Sequence, residues 1–378
     1  MPVFRLQRGL AALAVIGALT APALDAQKKD DKKNQSQDQS KLSDQQRQEL
    51  TPLVKTVDEL MKGGTSGTFA VTTNKEGAAT LAPDPAAVPL TFKNDFLKAT
   101  NNLIYVPFVV TIEQGKIGSS VAGYLRVTPK GMNTPAPPPK NEKEAKGAQQ
   151  YPFEDVYFTE LRTAAAGQPQ KMTRAFAVPA GSYDVYLALR DRPAGGEKAA
   201  ADAPVKVTVL KQELTVPNFW SNEFTTSSLI LADKVEPLSG QLSPEQQRER
   251  PYVLGATEIV PAPDNKFKKT EELGVIFQVY NYQMGSDGKP DVQIDYMFHV
   301  KDAGGNEKPF NKTEPQKFNA QTLPPNFSPE QGHQIVGGQM IPLASFPEGD
   351  FRLEIKVTDN KAQKTLQREV LFTVTPAS

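Results

Sequence analysis

Two stretches of the chain repeat one pattern at a constant offset, and nothing else in the sequence narrows its fold as much. Phe346-Pro-Glu-Gly-Asp-Phe-Arg-Leu-Glu-Ile-Lys-Val-Thr-Asp359 restates Val178-Pro-Ala-Gly-Ser-Tyr-Asp-Val-Tyr-Leu-Ala-Leu-Arg-Asp191. Pro179, Gly181, Tyr183, Val185, Leu187, Leu189 and Asp191 match Pro347, Gly349, Phe351, Leu353, Ile355, Val357 and Asp359. A Pro-x-Gly turn followed by strict apolar alternation is the pattern of a half-buried antiparallel strand. Each copy returns as a second alternating run, through Val205, Val207 and Val209 and through Val370, Phe372 and Val374, so each predicts a hairpin. Since each such sheet has one apolar face, two faces must meet to leave water. The predicted fold class is therefore all-β: two tandem immunoglobulin- or fibronectin-like antiparallel β-sandwiches, behind a disordered N-terminal tether and one short helix.

A chain of 378 residues is long enough for two or three domains. Basic and acidic residues number 43 each, which argues against a nucleic-acid partner, since that needs a basic patch to displace counterions. The absence of cysteine excludes disulfide staples, and 32 prolines with 26 glycines point to many turns. Residues 1–26 have the layout of a secretory signal. Arg5 and Arg8 precede the apolar run Leu10–Leu19, and Ala23 or Ala26 offers a small-residue exit. That run is shorter than the roughly 20 residues that span a bilayer, so it is expected to be cleaved, leaving no transmembrane segment and a periplasmic or extracellular protein.

Residues 27–50 are poor in apolar side chains and read as a disordered tether. A helix is predicted over 51–62, with Thr51 as cap, Pro52 in the first turn and Gly63-Gly64 as the stop. An upstream extension from Ser43, with Gln46 completing a capping box, is the alternative start. Leu53, Val54, Val57, Leu60 and Met61 share one face at helical spacing. That stripe either docks on the body of the protein or forms a partner-binding helix. Removal of residues 27–62 should leave both sandwiches folded; loss of the cooperative melt would show that the helix belongs to the core.

Residues 63–89 form an irregular segment and 90–212 the first sandwich, with a flexible Pro-rich loop at 129–150. In this sandwich, Pro107 should confine the strand Ile104–Ile112 to an edge or a bulge. Residues 213–250 read as a connector and 251–378 as the second sandwich. The motifs Tyr105-Val-Pro-Phe108, Val216-Pro-Asn-Phe219, Ser228-Leu-Ile-Leu-Ala232 and the two Pro-x-Gly hairpins resemble exported β-sandwich proteins of acidobacteria. Those proteins are related to segments of GWxTD-type and von Willebrand factor A-like proteins. The resemblance covers about Leu90–Val374 and implies a scaffold with no catalytic residues. The Gly-Trp-x-Thr-Asp and Asp-x-Ser-x-Ser signatures of those relatives are missing here.

Chemistry-bearing motifs are sparse. His299 falls on the polar side of an alternating strand and His333 in a loop, with no thiol nearby, so neither a zinc site nor any other metal or cofactor is expected. Gly118-Ser119-Ser120 and Gly181-Ser182 do not form a nucleophile elbow. Asp287, Asp291 and Asp295 lie close in sequence, but Asp287-Gly288 is a turn signal and no distal glutamate completes a calcium loop. The best ligand-binding candidates are aromatic: Phe219, Trp220, Tyr280 and Tyr282. The competing expectation is that Phe219 and Trp220 pack in a seam between the sandwiches.

The sequence thus predicts an exported, non-enzymatic binding or scaffolding protein. It would recognise a protein, peptide or glycan of the cell envelope through sheet edges or the interdomain seam. The alternatives are a hydrolase or carbohydrate-active protein whose carboxylates converge only in three dimensions, and an accessory subunit that contacts a larger envelope complex through its helix.

Overall fold

The computed structural model describes residues 42–63, 66–73, 90–113, 117–136, 150–163, 169–192, 205–240, 242–302 and 304–377. The expected signal, most of the tether and much of the 129–150 loop lie outside these residues. The described chain divides into two compact units, one ending at Asn218 and the other beginning at Phe219. Each is an all-β sandwich.

The first unit opens with α1 (Asp44–Met61), then β1 (Gly67–Thr73), β2 (Leu90–Asn94), β3 (Leu97–Lys98) and β4 (Leu103–Ile112). It continues with β5 (Ser120–Pro129), β6 (Phe153–Glu160), β7 (Arg162–Thr163), β8 (Gln170–Pro179), β9 (Gly181–Asp191) and β10 (Val205–Val216). One sheet runs β1-β10-β9-β5-β6. The other runs β2-β4-β8-β7, with β3 also paired to β4. The sheets meet where Phe153 of β6 packs 5.8 Å from Phe176 of β8, ring centre to ring centre.

This unit has a third layer. β5 and β9 are buried on both faces, because α1 lies across the face turned away from the second sheet. Leu50, Leu53, Val57, Leu60 and Met61 form one buried cluster with Ala122, Tyr124, Tyr186, Ala188, Val207 and Val209, and Val54 packs at its margin. The helix stripe is therefore covered by the protein's own sheet, which corrects its reading as a partner-binding face. Burial of each such side chain stabilises by about 1.5–3 kcal/mol.

The helix also starts earlier than Thr51. Ser43 caps it, and the Ser43 and Gln46 side chains each bond the other's backbone N–H, so residues 44–50 of the expected tether are helical. Pro52 stands inside the helix. Glu49 is fixed by Arg192, Nε to Oε2 2.9 Å.

Pro107 corrects a second expectation. Its strand, β4, is interior, paired to β8 on one side and to β2 and β3 on the other. The Pro107 carbonyl accepts the Asp95 N–H at 3.0 Å, in the gap between β2 and β3. Proline has no N–H to return that bond, and the break between β2 and β3 falls opposite it, which is how an interior strand accommodates it.

The second unit comprises β11 (Thr225–Thr226), β12 (Ile230–Pro237), α2 (Pro244–Glu249), β13 (Val253–Leu254), β14 (Thr257–Pro261) and β15 (Lys266–Lys268). After these come β16 (Glu272–Tyr280), β17 (Val292–Lys301), β18 (Glu307–Lys312), β19 (Gln316–Phe318), β20 (Ile335–Pro342), β21 (Gly349–Asp359) and β22 (Lys364–Thr375). One sheet runs β11-β16-β12-β14-β13, with β20 on the far side of β16. The other runs β15-β22-β21-β17-β18, with β19 also on β17. The segment expected as a connector therefore begins inside β10 and supplies β11, β12 and α2 to the second sandwich.

Inward rows from both sheets form the core of this unit, among them Leu273, Val275, Phe277 and Val279 facing Ile294, Tyr296, Phe298, Leu353 and Ile355. The core is tightly filled at Gly337 of β20. A Cβ there would lie 2.6 Å from Ile294 Cδ1 of the facing sheet and 2.7 Å from Phe277 Cζ of the neighbouring strand, so any side chain would have to displace both. Gly181 and Gly349, the turn glycines of the two repeat copies, have φ of +157° and +135°, which a residue with a Cβ adopts only at a cost.

Candidate functional site

The four aromatic candidates lie at the start of the second unit and at the end of β16, and the structure divides them. Phe219 is buried, its ring centroid 5.0 Å from that of Tyr280. Tyr280 is buried too, and its hydroxyl donates to Gln278 Oε1 at 2.6 Å. These two rings pack within their own unit and present no surface to a ligand, a correction to their candidacy as contacts. Tyr282 is half-buried against the core of this unit, and burial pushes its phenol well above the ordinary range. Trp220 alone of the four stays open, 40% exposed.

Asn281 holds this arrangement in place, a role that the sequence reading missed. It sits at φ +58°, a left-handed conformation that asparagine tolerates better than most residues. From there its Nδ2 donates to the Glu223 carbonyl at 2.8 Å and to the Phe219 carbonyl at 3.3 Å. One carboxamide thus closes both ends of the segment 219–223. With Phe219 inserted beneath it and β11 paired to Val279 and Tyr280 just after it, the loop carrying Trp220 is tied at three points. The one available signal was an asparagine directly following the last apolar residue of a strand.

Both histidines are largely covered. His333 is buried, with Nδ1 accepting the Ser328 N–H at 2.9 Å and its ring stacked on Phe327. His299 falls on the polar side of its strand, as the alternation predicts, yet it is not open to solvent. Its side chain is only 12% exposed, because Glu354, 3.5 Å from Nε2, and the neighbouring charged rows cover it. Around it Arg352 bonds Glu307 at 2.8 Å, Glu354 at 3.1 Å and Glu369 at 3.2 Å. Through the Arg352 hydrogen bond, Glu307 is held below the usual carboxylate range.

The buried carboxylates differ: Asp184 is bonded through Oδ2 only, its Oδ1 having no hydrogen-bond partner, whereas both oxygens of Asp359 are engaged. Asp184 takes the Gly131 N–H at 3.1 Å and lies 3.8 Å from Lys211, while Asp359 accepts three backbone N–H groups. Asp287 receives the Lys289 N–H within its turn, and Asp291 the Asn360 carboxamide. Among the described residues no group of three or more His, Asp or Glu could hold a metal ion. A cavity of about 300 Å³ beside α2 is lined by Glu236, Leu242, Gln246, Arg250 and Glu258, and its one cation is bonded to Glu258, Nε to Oε1 2.8 Å.

No protein-family model matches the chain. No curated protein matches it. Among solved structures it is similar to red sea bream transglutaminase, at 9% identity over 80% of this chain and 32% of that one, with a TM-score of 0.19. It is also similar to fibronectin(III)-like modules of Clostridium thermocellum CbhA, at 11% identity over 72% of this chain and 86% of that one, with a TM-score of 0.15. At these scores neither likeness adds to what the strand topology itself gives: a protein of two β-sandwiches, antiparallel except where β15 runs parallel to β22, the first with a helix on its outer face.

Proposed function

We propose that this chain is an exported, non-catalytic binding protein of the cell envelope, and that it makes contact through the Trp220 loop of its second unit. One observation carries this reading: a large indole is 40% exposed on a loop tied to its own unit by Asn281, Phe219 and β11. Fixing an aromatic side chain before the ligand arrives removes much of the ordering cost of binding. Tryptophan is also among the residues that dominate binding energy where it is presented this way. Arg5, Arg8 and the apolar run Leu10–Leu19 support export.

Retention of the purified chain on envelope fractions of its source cells tests the reading. Trp220→Ala is expected to melt like the parent and to bind those fractions about tenfold more weakly or worse. Equal retention of parent and variant would remove Trp220 from the contact.

A further inference from the structure

We infer that His333 is an acid-released clasp: protonation of its ring opens the turn Ser328–His333 and uncovers the Phe327 ring of the second unit. The inference is independent of the Trp220 loop.

The clasp is built locally. Between β19 and β20 the chain turns through Ser328-Pro-Glu-Gln-Gly-His333. Pro329 opens a single 3-10 turn, and Gly332 at φ +86° reverses the chain, which returns His333 to Ser328. The two residues then exchange two bonds. The His333 N–H donates to the Ser328 carbonyl at 3.2 Å, and the Ser328 N–H donates to His333 Nδ1 at 2.9 Å. His333 is 3% exposed, and its ring covers that of Phe327, centroids 5.8 Å apart. Phe327 belongs to the buried core of the unit, with Leu323 packed against the same core.

Only the neutral ring can make the second bond. Because Nδ1 accepts, the proton of the neutral imidazole is on Nε2. An imidazolium carries a proton on both nitrogens, so charging His333 sets two N–H groups against each other and leaves the buried Ser328 donor without an acceptor. A contact made by the neutral form alone is present above the histidine titration and is lost as pH falls through it. An unperturbed histidine side chain crosses that range at about pH 6.5.

The charges around the ring are few. From Phe318 to Phe346, a stretch that includes all of β20, the only titratable residues are Glu330 and His333 themselves. Glu330 is exposed within the 3-10 turn. The turn between β16 and β17 contributes Lys289, whose Nζ donates to the Pro324, Pro325 and Phe327 carbonyls at 3.0, 2.7 and 3.2 Å. The same ammonium lies 5.9 Å from the centre of the Phe327 ring, so a charged His333 would bring a second cation against a ring that already faces one. Tyr282, half-buried against the same core, has its phenol raised by burial and stays neutral throughout. Lys289 also limits the movement. It holds the backbone as far as Phe327, so the break is confined to residues 328–333.

Amide exchange followed by NMR at about pH 7.5 and about pH 5, corrected for the intrinsic pH dependence of exchange, tests the clasp. Protection of the Ser328 and His333 amides is expected to fall about tenfold or more at the lower pH, with β17 and β21 unchanged. His333→Asn keeps an acceptor at the Nδ1 position but takes up no proton, so its protection should not change with pH. His333→Phe keeps the stack without the acceptor and should be poorly protected at both. In the parent, the ring-nitrogen titration of His333, told apart from that of His299 by His299→Gln, should share its midpoint with the loss of Ser328 protection. Unchanged protection in the parent, an equal acid loss in His333→Asn, or two separate midpoints would each overturn the inference.

Discussion

The Asp359 carboxylate accepts the backbone N–H of Gln283 at 2.7 Å, tying the last residue of β21 to the chain just after β16, on the opposite sheet. Its other oxygen takes the Lys361 and Ala362 N–H groups at 3.0 and 3.1 Å, so a side chain that is fully buried satisfies three donors. The equivalent residue of the first repeat copy, Asp191, accepts the Gly118 N–H at 2.6 Å but is exposed. The repeat thus preserves a side chain that anchors a distant loop, as well as a strand.

Asp359→Ala should therefore cost about 2–4 kcal/mol, because it orphans buried N–H groups that had a charged acceptor. Asp191→Ala should cost about 1 kcal/mol, since water can replace the lost acceptor there. Urea denaturation of the two variants measures the difference. Equal losses would mean that burial does not separate the two sites.

Removing the chain through Met61 should unfold the first unit and leave the second intact. The deletion exposes Tyr124, Tyr186, Ala188, Val207 and Val209 and takes Asp58 from Arg126, whose side chain is 4% exposed and whose Nη1 lies 2.5 Å from Asp58 Oδ1. Loss of that apolar cover costs about 1.5–3 kcal/mol for each large side chain uncovered, while Arg126 keeps Glu154 at 3.6 Å and gains water. Calorimetry of the truncated protein should show one transition where the parent shows the melting of both units. Retention of both would mean that α1 only decorates the sheet, as the sequence suggested.

Gln316 acts as a missing strand at the outer edge of β20. Its Nε2 donates to the Gly338 carbonyl at 2.7 Å, its Oε1 accepts the Gly338 N–H at 3.1 Å, and the Tyr296 hydroxyl donates to the same oxygen at 2.6 Å. Gln316→Ala should destabilise the second unit by about 1–3 kcal/mol through the orphaned Tyr296 hydroxyl and reopen the edge to pairing with other chains. Light scattering on heating, compared with the parent, tests the second effect. A variant that is neither less stable nor more prone to associate would show the carboxamide to be dispensable.

Alkaline pH should destabilise the protein before it strips protons from the folded state. Burial, and after it the Asp184 charge, pushes the Tyr186 phenol up to about 12, and burial raises Tyr105, Tyr124, Tyr282 and Tyr296 further still. A phenol raised on folding contributes stability that is fully present below its unfolded value near 10 and is lost as pH rises through its folded value. Tyrosinate absorbance should lag in the native protein and then rise together with loss of near-ultraviolet dichroism. Smooth ionisation near pH 10 with the dichroism preserved would contradict this.

The sequence determined the two hairpins, because a period of two in apolar residues leaves one strand face to bury whatever the context. It also held a signal for α1 that lies on the less obvious face of the repeat. Tyr186 and Ala188 of the first copy stand where the second has Glu354 and Lys356, so only the first sheet could bury its outer face. Pairing at a distance was not legible. Gly181 faces Val216, whereas Gly349 faces Val374, because the second hairpin turns back at once after Asp359 while the first return strand starts only at Val205. Local pattern is blind to such differences in loop length.

The same limit applies to the site. Composition singled out Trp220 as the sole tryptophan, and the sequence named it with Phe219, Tyr280 and Tyr282 as aromatic candidates without bringing them together. Which ring would face water depended on where β16 ended relative to residue 219, and on one carboxamide reaching across 58 residues to Glu223. A side chain's alternation follows from its own strand, but its exposure is fixed by whichever distant segment packs against it, and that is a property of the folded molecule alone.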